Sequence, residues 1–254
     1  MRYVYGVVRS AHQPPPDELY GVGRPPVAVR LVSSGPLAAV VSDVDDGFVV
    51  EEVDARAHVH VLIGLLGGGP VIPLRLGTVA PDDDAVRAEV LDAAQDDLVS
   101  ALDALDGLVE LHVDADDNEA EAIAAVAGAA PIRPGESLDF QAALEVGQHV
   151  AELLVEHRQR LANEIVDQLR PIAVRDAPRS VIKGPEDPVL RWAFLVKADD
   201  IVTFDETVVS IRAGYPSLAI RYVGPLPAAH FVDWRTTPDS DETDPFQTQG
   251  NWGW

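Results

Sequence analysis

The sequence predicts an α+β protein of two domains, and three features of the chain support this class. Strand-like apolar runs, beginning with residues 2–9, alternate with segments of helical periodicity. The longest of these segments, residues 138–169, is typical of an amphipathic helix packed on a sheet. The length of 254 residues suits two modest domains, and the apolar periodicity breaks near the middle of the chain. We expect domains over residues 1–107 and 108–235, followed by an acidic tail over 236–254.

The first half is predicted to contain four strands. Residues 2–9 are apolar on both faces, which is typical of a central strand covered on both sides. A loop rich in proline and glycine follows, and residues 27–32 and 36–42 then form a hairpin around a Ser-Ser-Gly turn. Residues 71–76 form a short strand.

Two helices are expected in the same half. Asp54 is the predicted N-cap of the first helix, which runs to about Leu66. Its expected apolar stripe consists of Val59, Leu62, Ile63 and Leu66. The second helix opens at Pro81 with three aspartates, which suit the positive end of the helix dipole, and it ends at Gly107. Its expected buried residues are Val86, Val90, Ala94, Leu98, Leu102 and Leu105.

The second half runs strand, two helices, two strands, helix and strand. The expected ranges are 108–113, 120–130, 138–169, 172–175, 191–196, 199–211 and 218–223. The apolar stripe of the long helix is Val146, Val150, Leu154, Leu161, Ile165 and Leu169. This order is the ferredoxin-like plan with an added helix, and the first half follows the same plan less regularly. We therefore expect two modified ferredoxin-like sheets with helices.

The chain is strongly acidic, with a formal net charge of −23. Nucleic-acid binding relies on Lys and Arg to neutralise phosphates, so this balance argues against a nucleic-acid partner and also disfavours an anionic membrane surface. It is typical of a protein kept soluble by self-repulsion, which suits the handling of an apolar partner, and a salt-adapted host is an equally open explanation.

The tail over 236–254 is predicted to be disordered, and its Trp252 and Trp254 are either a docking peptide or incidental.

The chain contains no cysteine, which excludes disulfides, thiolate nucleophiles and cysteine-ligated metals. Its N-terminus lacks the layout of a signal peptide, and no apolar run approaches the ~20 residues of a membrane-spanning helix. These features predict a cytoplasmic location.

No motif in the sequence predicts a catalytic, metal or cofactor site. Gly64 and residues 67–69 mark a helix end and do not form a phosphate-binding loop, and no GxSxG nucleophile elbow occurs. His58 and His60 point apart on a helix, so we interpret them as two partly exposed polar residues. Residues 114–118 resemble a calcium loop only weakly, because they lack its glycine and its bidentate glutamate.

Arg75 is the most informative charged residue of the first half, because it lies between apolar neighbours in VIPLRLGTV. A partly buried arginine requires a carboxylate or carbonyl partner. We favour a structural ion pair that holds the two halves together, with contact to a ligand or partner as the alternative.

The segment over residues 218–234 combines a strand with an extended arm. The strand is expected to stop at Gly224-Pro225-Leu226-Pro227, because proline cannot donate to a sheet ladder. The stiff segment that follows carries apolar residues, which indicates a role in packing or docking rather than in catalysis. Its candidate partner-binding residues are Tyr222, Leu226, Phe231 and Trp234, together with Arg75 of the first half.

Six segments of the chain, taken in order, resemble the gas vesicle GvpF/GvpL family. They are YVYGVV at 3–8, PLAAVVSDV at 36–44, RAHVHVL at 56–62, PVIPLRLGTV at 70–79, WAFLV at 192–196 and RYVGPLPAAHFV at 221–232. The last segment departs from the family pattern, since Leu226 stands where tryptophan is common and Ala228-Ala229 replaces a neighbourhood of proline and tyrosine. The resemblance covers the chain except for the acidic tail.

The resemblance implies a non-enzymatic accessory protein of gas vesicle formation, located in the cytoplasm in association with gas vesicles. Its implied partners are the small apolar shell protein GvpA, bound during nucleation or early assembly, and other accessory gas vesicle proteins. Two other functions remain open. One is a small-molecule-binding protein or enzyme of ferredoxin-like type with a site at the domain junction near Arg75, and the other is a structural component of the finished vesicle.

Overall fold

Two antiparallel sheets with packed helices form the computed structural model of the protein, which describes residues 1–13, 19–127 and 140–232. The predicted α+β class with two sheets is confirmed. No helix in the described ranges combines the length and apolar character needed to cross a bilayer. The first sheet precedes the second along the chain, and the limits of the two domains remain a prediction.

The first sheet is centred on a strand whose residues are nearly all buried. β1 (Arg2–Arg9) pairs with β3 (Leu37–Asp43) on one side and with the short β4 (Ile72–Pro73) and β5 (Val79–Ala80) on the other. β2 (Arg30–Ser34) forms the predicted hairpin with β3, and the strand order is β2-β3-β1-β4. The predicted strand over 71–76 is shorter than expected, because the chain leaves the sheet after Pro73.

Helix α1 (Glu52–Leu65) begins earlier than the sequence predicts. Its N-cap is Glu51, and the Asp54 side chain reaches back to accept the Glu51 backbone N–H at 2.9 Å. Asp54 is therefore the third residue of a capping box rather than the cap itself. The buried face is Asp54, His58, Val61, Leu62 and Leu65, whereas Ile63, assigned to the stripe from the sequence, is 40% exposed.

The second helical segment of this half is interrupted, where the sequence predicts one continuous helix. α2 (Asp83–Ala85) widens into a π-helical stretch over Val86–Asp92, and α3 (Gln95–Ala104) starts afresh. The wider turn shifts the helical phase, so that Leu91 is fully buried while Val90 is only half-buried. Val86, Leu102 and Leu105 are buried as predicted.

The second sheet has the strand order β7-β8-β6-β9, with all pairs antiparallel, as the ferredoxin-like plan requires. Its elements are β6 (Leu108–Asp117), α4 (Glu119–Ala127), α5 (Phe140–Leu169), β7 (Ala173–Pro178), β8 (Leu190–Lys197), α6 (Ile201–Gly214) and β9 (Leu218–Leu226). The helix over 199–211, predicted from topology alone, is thus confirmed as α6.

Two strands of the second sheet extend beyond their predicted ends. β6 continues through Asp117, so residues 114–117 lie in a strand and not in a turn or calcium loop. β9 continues to Leu226, because a register shift lets Leu111 face both Gly224 and Pro225. Such a bulge accommodates a proline that cannot donate to the ladder.

An apolar layer lies between the two sheets and belongs to both. It includes Val7 and Ala39 of the first sheet and Leu102 of α3. Ala193 and Leu195 of β8 contribute from the second sheet. The opposite face of the first sheet packs under α1, and that of the second packs under α5 and α6. The two sheets are therefore joined by a continuous core, which we call the shared layer.

A buried arginine that the sequence analysis missed fastens α5 to the second sheet. Arg158 is only 4% exposed, and its guanidinium donates to both oxygens of Asp117 at 2.6 and 2.7 Å. It also donates to the carbonyl oxygens of Pro185 and, at 3.0 Å, of Asp187. These contacts connect α5, β6 and the β7–β8 connection through one side chain.

Replacing Arg158 by methionine is expected to lower the free energy of unfolding by about 3–5 kcal/mol, because Asp117, whose side chain is only 10% exposed, loses its charged partner. Arg160→Met, on the exposed face of the same helix, is the matched control and is expected to change it by less than about 0.5 kcal/mol. Urea unfolding of the three proteins measures both values. Equal stability of the two variants would contradict the role given to Arg158.

Candidate functional site

The exposed loop between β4 and β5, residues 74–78, is held in place by buried groups of β1. The Leu74 N–H donates to the Tyr5 carbonyl at 2.8 Å, and the Gly77 N–H donates to the Tyr3 hydroxyl oxygen at 3.1 Å. Gly77 adopts a φ of 90°, a conformation that favours glycine. We call this segment the β4–β5 loop.

His58 of α1 completes this support from inside the core. Its Nδ1 lies 2.9 Å from the Tyr3 hydroxyl, and the ring also donates to the Leu74 carbonyl. Because Gly77 donates to the Tyr3 oxygen, the Tyr3 proton is left to point at His58. The prediction that His58 is partly exposed is wrong, since it is 5% exposed, while His60 is exposed on the outer face of α1.

The charge states of His58 and Tyr3 are determined by their burial. It lowers the pKa of His58 to about 4, a shift that the hydrogen bond to Leu74 only partly offsets. Burial likewise raises the pKa of Tyr3. Both side chains are neutral at neutral pH, and the β4–β5 loop is supported by neutral hydrogen bonds.

Arg75, at the tip of the β4–β5 loop, is exposed rather than partly buried. Within the described ranges no carboxylate oxygen lies within 4 Å of its guanidinium, so the favoured ion pair between the two halves is not formed there. Leu76 beside it is 47% exposed. A methyl group of Val50 lies 3.3 Å from the point that a Cβ on Gly77 would occupy, and neighbouring Val49 is 77% exposed. The loop thus presents one cation next to apolar side chains.

The candidate residues around β9 are largely engaged within the protein. The half-buried Tyr222 packs against Phe204 of α6 with ring centroids 5.7 Å apart, and its hydroxyl donates to Asp205. Leu226, also half-buried, pairs with Glu110 of β6. Trp234 lies outside the described residues. Partner contact by these residues remains a prediction.

Phe231 lies in a 3₁₀ turn, Ala229–Phe231, rather than on an exposed arm. It is 7% exposed and belongs to the shared layer together with Ala228. The guanidinium carbon of Arg175 stands 5.4 Å from the centre of its ring, and Arg175 donates to its carbonyl at 3.4 Å. The segment was predicted to serve in packing or in docking, and the contacts of Phe231 are packing contacts.

A buried carboxylate with two histidines lies where this turn meets β6, and sequence reasoning missed it. Glu110 is 1% exposed and accepts hydrogen bonds from the side chains of His112 and His230. Burial alone would raise the pKa of Glu110, but these hydrogen bonds outweigh it and lower the pKa to about 2. Residues 110 and 112 share one face because strand side chains alternate, and this spacing was the available signal.

The rest of that face of β6 is neutralised by arginines from neighbouring strands. Asp114 binds Arg179 at 2.9 Å. Asp116 binds Arg191 at 2.8 Å and Arg221 at 2.6 Å. The carboxylates that resembled a calcium loop are therefore committed to ion pairs across the sheet.

An open depression of about 460 Å³ lies beside these strands. It is lined by Asp116, Asp117, Asn118, Glu121 and residues 216–219. Its lining is acidic and does not include Arg75. The small-molecule site considered at the domain junction near Arg75 is thus not supported by this depression.

Because of His58, the free energy of unfolding is expected to decrease as the pH falls. The folded His58 pKa of about 4 lies below the ordinary value of 6.5, so the unfolded chain takes up the proton first. The contribution is therefore complete above pH 6.5 and lost as the pH falls towards 4, by roughly 3 kcal/mol. Urea unfolding between pH 7 and 4 should show a flatter profile for His58→Gln than for the unmodified protein.

His60→Gln, on the exposed face of the same helix, is the control and should keep the full pH dependence. A profile for His58→Gln that parallels the unmodified protein would show that His58 is already charged, or not buried, in the folded state.

Comparison with known proteins gives consistent results over nearly the whole chain. The sequence profile described as "Gas vesicle synthesis protein GvpL/GvpF" matches residues 1–233. Gas vesicle protein F of Streptomyces sp. (strain CB03234) is 34% identical over 241 residues, which cover 91% of this chain and 99% of that protein. Gas vesicle protein L of the same strain is 37% identical over 126 residues, which cover 44% of this chain and 46% of that protein.

The fold is similar to that of a solved gas vesicle protein. The crystal structure of GvpF from Anabaena sp. PCC7120 superposes with a TM-score of 0.77 at 19% identity, covering 94% of this chain and 99% of that one. At this identity the likeness concerns the fold alone, whereas the profile match and the Streptomyces relative concern the sequence itself. The chain belongs to the GvpL/GvpF family of gas vesicle synthesis proteins.

Proposed function

We propose that this protein binds the apolar shell protein GvpA through the β4–β5 loop and assists nucleation or early assembly of the gas vesicle without catalysing a reaction. Family membership supports a role in gas vesicle formation. The shell-protein contact, the stage at which it acts, the other accessory partners and the cytoplasmic location belong to the proposal.

The observation that carries the proposal is the surface of the β4–β5 loop. Leu76 is exposed at its tip, and Arg75 stands beside it without an ion pair in the described ranges. Val50 lies close to Gly77 of the loop, and the adjacent residue Val49 is exposed. An apolar subunit is recognised by burying such side chains, with a charged residue fixing the orientation. Buried groups of β1 and α1 support the loop, so its apolar tip stays accessible instead of folding into the core.

The overall charge fits the same role. A net charge of −23 keeps copies of the protein apart and soluble while an apolar patch is exposed. Arg75 adds an exposed cation beside the apolar side chains of the loop.

Two other modes of capture, strand addition and binding in a groove between the two halves, are less well supported. Strand addition at β9 is hindered by the bulge at Gly224-Pro225 and by Arg212, which donates to the Ile220 carbonyl at 3.2 Å. A groove between the two halves is filled at the shared layer by Phe231. Side-chain contact through the β4–β5 loop is therefore the mode that we propose.

Changing Leu76 to aspartate tests the proposal. We expect at least tenfold weaker binding to immobilised GvpA, because a charge cannot be buried against the apolar subunit without a partner. Val202→Asp is the matched control, since Val202 is 67% exposed on α6 of the other half of the chain and should leave binding unchanged. Thermal unfolding of both variants verifies that each remains folded.

Unchanged GvpA binding by a folded Leu76→Asp variant would overturn the assignment of the loop. Absence of GvpA binding by the unmodified protein would overturn the function itself. Washing isolated vesicles with urea then separates an assembly factor, which is removed or absent, from a structural component, which is retained.

A further inference from the structure

Three side chains of the types that bind metal ions converge on one face of the second sheet. They are Glu110 and His112 of β6 and His230 of the 3₁₀ turn, and one ligand atom of each lies within 4.8 Å of the others. We propose that these residues form a binding site for a divalent transition-metal ion and that Zn²⁺ is the ion it fits best.

The fold brings the three residues together by two separate devices. Alternation along β6 places residues 110 and 112 on the same face. The bulge of β9 at Gly224-Pro225 and the following 3₁₀ turn carry His230 back over that face, 120 residues away in sequence from Glu110.

The geometry requires little adjustment to receive an ion. One oxygen of Glu110 already faces both imidazole rings, and His230 Nδ1 lies 2.5 Å from it. The other oxygen accepts the backbone N–H of His230 at 2.9 Å, which orients the carboxylate. A tetrahedral ion with bonds of about 2.0–2.1 Å separates its ligand atoms by about 3.3 Å, so shifts of under about 1 Å open the site.

The chemistry of the donors selects the ion. Two imidazoles and one carboxylate form a common set for Zn²⁺, whereas Ca²⁺ and Mg²⁺ prefer oxygen ligands throughout. Glu110 supplies a buried negative charge, and the exposed His230 opens the site to solvent, leaving the fourth position for water. The nearby cation Arg179 is paired with Asp114 at 2.9 Å.

The consequence of binding is structural. An ion held by β6 and His230 fastens the 3₁₀ turn to the sheet, and the next residue, Phe231, lies in the shared layer. Metal binding is thereby coupled to the packing between the two sheets, and it should appear as added stability.

The test is thermal unfolding of the untagged full chain after EDTA treatment and dialysis, with and without ZnCl₂. At one hundred times the dissociation constant we expect Zn²⁺ to raise the melting temperature by roughly 5–10 °C and Mg²⁺ to leave it unchanged. His230→Ala should lose at least nine-tenths of the Zn²⁺ shift. His149→Ala, at a histidine of α5 whose side chain is 45% exposed, should retain it.

His230→Ala is chosen because it leaves the backbone N–H to Glu110 in place, so the fold is expected to persist without metal. Visible absorption of bound Co²⁺ provides a second readout, with a four-coordinate spectrum that disappears in His230→Ala and in His112→Ala. No Zn²⁺ shift in the unmodified protein, or an equal shift in His230→Ala, would overturn the site. These measurements contain no GvpA, so their outcome is independent of the proposed function.

Discussion

The shared layer between the two sheets is the constraint on which the rest of the structure depends. Each sheet is covered by helices on one face, and apolar residues of the two opposite faces are buried against each other together with residues of α3. β8 places Ala193 and Leu195 in that layer, and the turn after β9 adds Ala228 and Phe231. The relative position of the two sheets follows from this packing.

Much of the fold could be predicted because buried apolar residues recur along the sequence with the period of a helix or a strand. β1 is apolar on both faces, and that pattern indicated a central strand before any partner was known. The order of elements after residue 108 sufficed to place α6 as a crossover between β8 and β9, although its own periodicity was weak. The apolar neighbours of Arg75 predicted a partly buried side chain, but Arg75 is exposed because the chain leaves the sheet after Pro73.

The remaining features depend on partners that are distant in sequence. His58 is buried because Tyr3, 55 residues earlier, offers a hydrogen bond, and helical periodicity gives no indication of that partner. Glu110 contacts His230 because the β9 bulge and the 3₁₀ turn carry His230 back over β6. The π-helical stretch over Val86–Asp92 and the burial of Arg158 are likewise set by packing and ion pairing rather than by local propensity.

The support of the β4–β5 loop by Tyr3, Tyr5 and His58 has a thermodynamic consequence for association. A segment already fixed by hydrogen bonds from the core gives up little conformational entropy when a second molecule covers it. Such a preorganised surface avoids the ordering cost that disordered binding segments incur. If the shell protein binds this loop as proposed, the affinity rests mainly on water released from Leu76 and its neighbours, with the heat-capacity decrease that accompanies apolar burial.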